Sequence, residues 1–173
     1  HFPALTSRSP WVFVSPTYGW QLPRIFEALL RGGRFSGSRD AYFVMTCGAE
    51  IGDPIPRLEA LCRDMGLTYR GVLPVVMPEN YIAMFSVPTQ EEAQRIIRQA
   101  EWVIDEAARR IKGGEIFSQP GLGFKDKMNS GIVNDIFYPL FVHAKKFYVL
   151  DDCISCGKCA NVCPLHNIQL SNG

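Results

Sequence analysis

Cysteine spacing constrains this chain more than any other feature. Four of its six cysteines stand near the C-terminal end as Cys153-Ile-Ser-Cys156-Gly-Lys-Cys159-Ala-Asn-Val-Cys163-Pro164. A C-x2-C-x2-C-x3-C-P run sets three thiolates at short intervals, close enough to wrap three corners of a cubane iron–sulfur cluster. Gly157 lets the backbone come near such a cluster, and Pro164 turns the chain away. Tetrahedral zinc is the alternative, because zinc also takes C-x2-C pairs. Zinc sites usually separate two such pairs by a long loop, and this chain has no second pair. Clustered thiols of this kind indicate metal binding in a reducing compartment rather than a disulfide framework, which makes cytoplasm the default location.

The bulk composition sets wide bounds. A chain of 173 residues holds one ordinary domain, or one domain and a small module. A net charge of +1 gives no reason to expect nucleic acid or an anionic membrane as partner. The longest suspicious apolar stretch, Ile136 to Val142, is broken by Pro139 and is far short of the ~20 residues that span a bilayer.

Residues 1–112 alternate between buried-strand and amphipathic-helix patterns. Trp11-Val12-Phe13-Val14 predicts a strand covered on both faces. Pro23 fits a first helical turn, Ile25, Phe26, Leu29 and Leu30 follow at helical spacing, and Gly32-Gly33 stops the helix. Ala41 to Met45 predicts a second buried strand. Ile55, Leu58, Leu61, Cys62 and Met65 mark the next helix, with Gly66 as its cap. Gly71 to Val76 predicts a third strand, and Pro74 within it requires an edge position. Thr89 with Glu92 opens the longest helix with a capping box, and Ala93, Ile96, Ile97, Ala100, Val103, Ile104, Ala107 and Ile111 line one face. Strand–helix alternation of this kind predicts an open parallel α/β sheet. Residues 113–146, rich in glycine and proline and then in aromatics, predict a connector that packs a metal module against the sheet. Residues 147–173 are too few to bury a sufficient core, so the module's folding should depend on its metal.

Open α/β sheets bind ligands outside the carboxyl ends of their strands. Two such ends are unusual here: Ser15-Pro16-Thr17-Tyr18-Gly19-Trp20 and Thr46-Cys47-Gly48-Ala49-Glu50. Two large aromatics in one short loop can stack on a planar ring while small and polar neighbours reach its edge. Equally, Tyr18 and Trp20 can simply seal the end of the sheet. Cys47 has no histidine in its own loop, so a wall residue is favoured over a redox nucleophile. Cys62 lies on an apolar helix face and reads as core. The lone histidines His143 and His166 carry little information.

Three segments resemble a known family. VFVSPTYGWQLP, from Val12 to Pro23, resembles the aromatic flavin loop of flavodoxins. YFVMTCG, from Tyr42 to Gly48, resembles the strand and loop covering the flavin's other side. With VVMPENYIAMF, from Val75 to Phe85, and the cysteine run, they resemble the bacterial flavodoxin–ferredoxin fusion proteins, the EFR-type ferredoxins, over nearly the whole chain. The resemblance implies an incomplete flavodoxin-like open parallel sheet followed by part of an α+β ferredoxin module with two 4Fe-4S clusters. It implies FMN, with Tyr18 and Trp20 as ring-stacking residues. Thr17, Thr46, Cys47 and Gly48 would line the ring's edge, and Gly19 would belong to the same cofactor-binding loop. Cys153, Cys156 and Cys159 would hold one cluster, while Cys163 would serve the other.

The chain begins with His1, not Met, and ends on Asn172-Gly173, a preferred hairpin dipeptide with no returning strand. It also lacks the second cysteine run and the phosphate loop that the resemblance implies. It therefore reads as an internal fragment. The function this suggests is electron transfer between a flavin and iron–sulfur clusters, serving redox partner proteins, without nucleic acid or membrane. The alternatives are a structural or redox-sensing metal module on a binding domain, or a flavin-dependent reductase of a small substrate.

Overall fold

A computed structural model describes residues 4–81, 85–117, 140 and 147–171. The chain divides into two compact units, His1–Pro139 and Leu140–Gly173. The first is mixed α/β with parallel sheets. Its strand β1 spans Ala4–Ser7, β2 Trp11–Pro16, β3 Arg34–Gly37, β4 Asp40–Cys47 and β5 Thr68–Val76. Its helix α1 spans Arg24–Gly32, α2 Ile55–Met65 and α3 Gln90–Lys112. The three longer strands form one sheet in the order β2-β4-β5, all parallel. β5 lies at an edge of this sheet, as Pro74 required.

β1 and β3 were not legible in the sequence, since ALTS and RFSG carry no apolar run. They pair in parallel with Ala4 opposite Arg34. Trp11 stands opposite Ala41 in the main sheet, so both ladders keep an offset of 30 residues. The short pair therefore continues the register of β2 and β4 across a break. Ser38 donates its N–H to the Ser7 carbonyl at 2.7 Å, and Trp11 Nε1 donates to the Ser38 carbonyl at 2.8 Å, which ties the two parts together.

One sheet face buries Phe13, Phe43, Met45 and Val72 against Leu30 of α1 and Leu58, Leu61 and Cys62 of α2. Phe35 stands edge-on to both Trp11 and Phe13, at 5.1 and 5.4 Å between ring centroids. Each such side chain contributes about 1.5–3 kcal/mol by leaving water. Buried Glu27 of α1 accepts from Arg31 on its own helix and from Arg57 of α2, at 2.9 and 3.0 Å. Arg31 also pairs with Asp64, so charge as well as packing joins the two helices.

The opposite face differs from the sequence expectation. α3 covers Tyr42 and Leu73 there with Ala107 and Ile111. Val12 and Val14 on β2 remain 42% and 59% exposed. The run Trp11–Val14 is thus covered on one face only, because α3 lies over β5 and reaches no further than Tyr42 among the described residues. The capping box is present: Thr89 Oγ1 accepts from the Glu92 N–H at 3.3 Å, and Glu92 Oε2 accepts from the Thr89 N–H at 2.8 Å.

Residues 113–117, read as the start of the connector, pack on the sheet. β5 bulges at Arg70, so that Tyr42 faces Gly71. The bulge leaves the Arg70 carbonyl to accept the Phe117 N–H at 3.0 Å. Tyr42 Oη donates to the Glu115 carbonyl at 2.9 Å. Gly71 has φ +131°, and a Cβ there would stand 2.5 Å from Phe117 Cβ, so only glycine fits.

Among the described residues of the cysteine run there is a short helix, α4 (Lys158–Val162). None of residues 147–171 is buried. The readings of Pro120–Gly123, Ile136–Pro139, His143, Ile82–Met84 and Asn172-Gly173 lie outside the described residues.

Candidate metal centre and strand-end site

Parallel pairing sets Pro16 beside Thr46 and Cys47 beside Val76, so the three strands end together. The loops that follow meet there. Thr17 donates its N–H to the Thr46 carbonyl at 2.8 Å. Tyr18 and Gln21 then exchange N–H to carbonyl bonds of 2.9 and 3.2 Å around Gly19 (φ +55°) and Trp20 (φ +62°). Positive φ at both central residues is the signature of a type I′ turn. For tryptophan it costs on the order of 1–3 kcal/mol, so the surrounding bonds must hold it. Buried Gln21 and Leu22 anchor the returning chain. Tyr18 is 55% exposed, too open to seal the sheet's end. Trp20 is half-buried.

Thr17 Oγ1 is buried without a hydrogen-bond partner among the described residues. The Thr17 hydroxyl is thus held out of water, while the ring of the next residue, Tyr18, is open to a planar ligand. Thr46 is half-buried, and Cys47 is buried with Sγ 3.9 Å from the Val75 carbonyl. Burial pushes the Cys47 thiol up. The Ala49 N–H opposes this, and the Glu50 and Glu79 carboxylates reinforce it. Cys47 is therefore held as the neutral thiol near neutral pH, the less reactive form.

Sequence reasoning missed one residue here. Glu79 lies beyond β5, where the Met77 N–H reaches back to the Cys47 carbonyl at 2.8 Å. Its Oε1 accepts the N–H groups of Asn80 and Tyr81 at 2.9 and 2.8 Å. Its Oε2 fills the space that a Cβ on Gly48 would take. The only sequence signal was a strand-end glycine facing an unseen neighbour. A separate shallow groove of about 380 Å³ has Arg95, Arg98, Gln99, Trp102 and Val103 of α3 along it and involves none of these groups.

In the cysteine run, Ser155 (φ +52°) and Gly157 (φ +72°) turn the backbone tightly between Cys153 and Cys159. Gly157 opens α4, which carries Cys159, and Cys163 closes it in extended conformation. Beyond Pro164 the chain folds back: His166 N–H bonds the Cys163 carbonyl at 3.1 Å, and Asn167 N–H donates to Cys163 Sγ at 3.4 Å. These backbone donors, Asn167 first and then Leu165, Ile168 and His166, pull the Cys163 thiol below its ordinary value against a smaller effect of burial. Cys153, Cys156 and Cys159 are exposed, and Cys163 is half-buried. Among the described residues, no three Cys, His, Asp or Glu side chains are gathered closely enough to hold a metal ion.

That dispersion follows from the absence of a core. With nothing buried over 147–171, packing alone does not fix the sulfur positions, and in metal modules of this size ligation and folding are one event. The donor set fits an iron–sulfur cluster: four thiols, two tight turns near them, and N–H donors aimed at a sulfur. When bound, such a cluster supplies one-electron chemistry; Cys153, Cys156 and Cys159 would hold it, and Cys163 would be a ligand to a second cluster.

Residues 147–169 match the family model described as 4Fe-4S binding domain (Fer4). No curated protein and no solved structure matches the chain significantly. No helix among the described residues is long and apolar enough to cross a membrane. The match supports a 4Fe-4S cluster and iron–sulfur electron transfer as the chemistry of the cysteine module.

Proposed function

We propose that this chain is part of a cytoplasmic flavodoxin–ferredoxin fusion that passes electrons between FMN and 4Fe-4S clusters and exchanges them with redox partner proteins. The sheet unit carries the flavin, and the unit containing 147–169 carries the iron–sulfur centre. The observation that carries the reading is the I′ turn at the carboxyl ends of a parallel sheet. It presents Tyr18 to solvent at the end of β2, in a chain that also matches a 4Fe-4S domain.

In this reading Tyr18 and Trp20 stack on the ring and exclude water from one face. Thr17, Thr46, Cys47 and Gly48 line its edge, and Gly19 belongs to the same cofactor-binding loop. Cys153, Cys156 and Cys159 hold one cluster, and Cys163 serves a second. The test is the protein expressed from its full reading frame and purified anaerobically. It should carry iron, acid-labile sulfide and FMN, and both centres should be reversibly reducible. Tyr18→Ala and Trp20→Ala should weaken FMN in a fluorescence titration, each losing roughly 0.5–1.5 kcal/mol of stacking beyond the buried area. Cys47→Ala should do far less. Stoichiometric zinc without sulfide, or unchanged FMN affinity in both aromatic variants, overturns the reading.

A further inference from the structure

The strand-end site contains one charged group held in a fixed position. Two backbone N–H bonds of 2.9 and 2.8 Å fix Glu79 through Oε1. Its second oxygen lies over Gly48, in a place that any side chain at position 48 would block. Glu79 also acts electrostatically on Cys47, so its charge reaches the β4 end of the site. Among the described residues no hydrogen bond is donated to Oε2. An ionised carboxylate is an acceptor only. A fixed acceptor at the edge of a ring site selects a ring that offers an N–H there.

We propose that Glu79 is a specificity-determining residue of the strand-end site, and that its Oε2 accepts the ring N3–H of a flavin whose pyrimidine edge lies against Gly48. This rests on the flavin reading above and extends it. The isoalloxazine carries one such donor between two carbonyls, and a charge-assisted bond to it is stronger than a neutral one. Gly48 is then required for two reasons: it leaves room for the ring edge and for the carboxylate that reads it.

The test compares FMN with 3-methyl-FMN, which lacks the donor, on the complete protein. Wild type should bind 3-methyl-FMN roughly tenfold or more weakly, the scale of one hydrogen bond to a charged group. Glu79→Met removes the acceptor and should bring the two affinities together. Glu79→Gln retains an acceptor oxygen and should keep part of the discrimination. Gly48→Ala should behave like Glu79→Met, because the new methyl displaces the carboxylate. The ratio separates recognition from loop damage, since a distorted loop weakens both ligands alike. Equal binding of the two flavins by wild type, or an unchanged ratio in Glu79→Met, overturns the role of Glu79 and leaves the flavin reading standing. No FMN binding by wild type overturns both.

Discussion

The sheet unit and the cysteine module are stabilised by different means. In the first, Tyr42, Phe43, Met45, Leu58, Leu61 and Cys62 are essentially out of water. In the second, no described residue is buried, and Ile154 is 84% exposed. Their thiols differ in the same way. Burial pushes Cys62 up to about 12, with the Glu59 carboxylate adding to it, while N–H donors pull Cys163 down. A buried thiol serves as a small apolar group, whereas a thiol among backbone donors is prepared to carry charge. One region folds by removing side chains from water, and the other by what its sulfurs bind.

The largest expected effect tests that division directly. Cys156→Ser in the complete protein should abolish cluster binding, measured as iron and sulfide. It should also remove amide protection across 147–171 while the thermal transition of the sheet unit stays in place. Retained protection without metal would show that the module has a core of its own. Phe43→Ala is the reciprocal change. It should cost the sheet unit about 3–5 kcal/mol in denaturant titrations, with the iron content of the folded fraction unchanged.

Gly71→Ala should cost less, about 1–3 kcal/mol, from a backbone that favours glycine and a collision with Phe117. Loss of near-ultraviolet signal from Tyr42 and Phe117 would locate the damage at the bulge.

The smallest effect is a pH dependence. The folded Cys62 pKa of about 12 lies above its ordinary value of 9.0. The unfolded chain therefore releases this proton first, and the stabilisation is complete below about pH 9 and lost as pH rises toward 12. Cys47, shifted in the same direction, adds to the slope. Urea titrations between pH 7 and 10 should show declining stability, with a shallower decline in Cys62→Ala. An identical slope in that variant would assign the dependence to other groups.

Much of the sheet unit was legible because its signals are local. Periodic apolar residues gave α1, α2 and α3, the Thr89–Glu92 pair gave a start, and Pro74 gave an edge. The cysteine run was legible for the same reason, since spacing along the chain is itself the ligand pattern. β1 and β3 were not, because they form by continuing the 30-residue register of their neighbours rather than by any pattern of their own. Nor did the run Trp11–Val14 reveal that Val12 and Val14 would stay exposed, which depends on how far α3 extends across the sheet.

By itself, then, the sequence determined the alternation of strands and helices, the edge position of β5 and the thiol set at Cys153, Cys156, Cys159 and Cys163. Tertiary structure alone brought Glu79 over Gly48 and folded Phe117 back onto the Arg70 bulge. The physical reason is the distance along the chain at which each choice is made. Propensity, capping and ligand spacing act between near neighbours. A carboxylate meeting a glycine 31 positions earlier depends on parallel strands ending at one level, which no local pattern encodes.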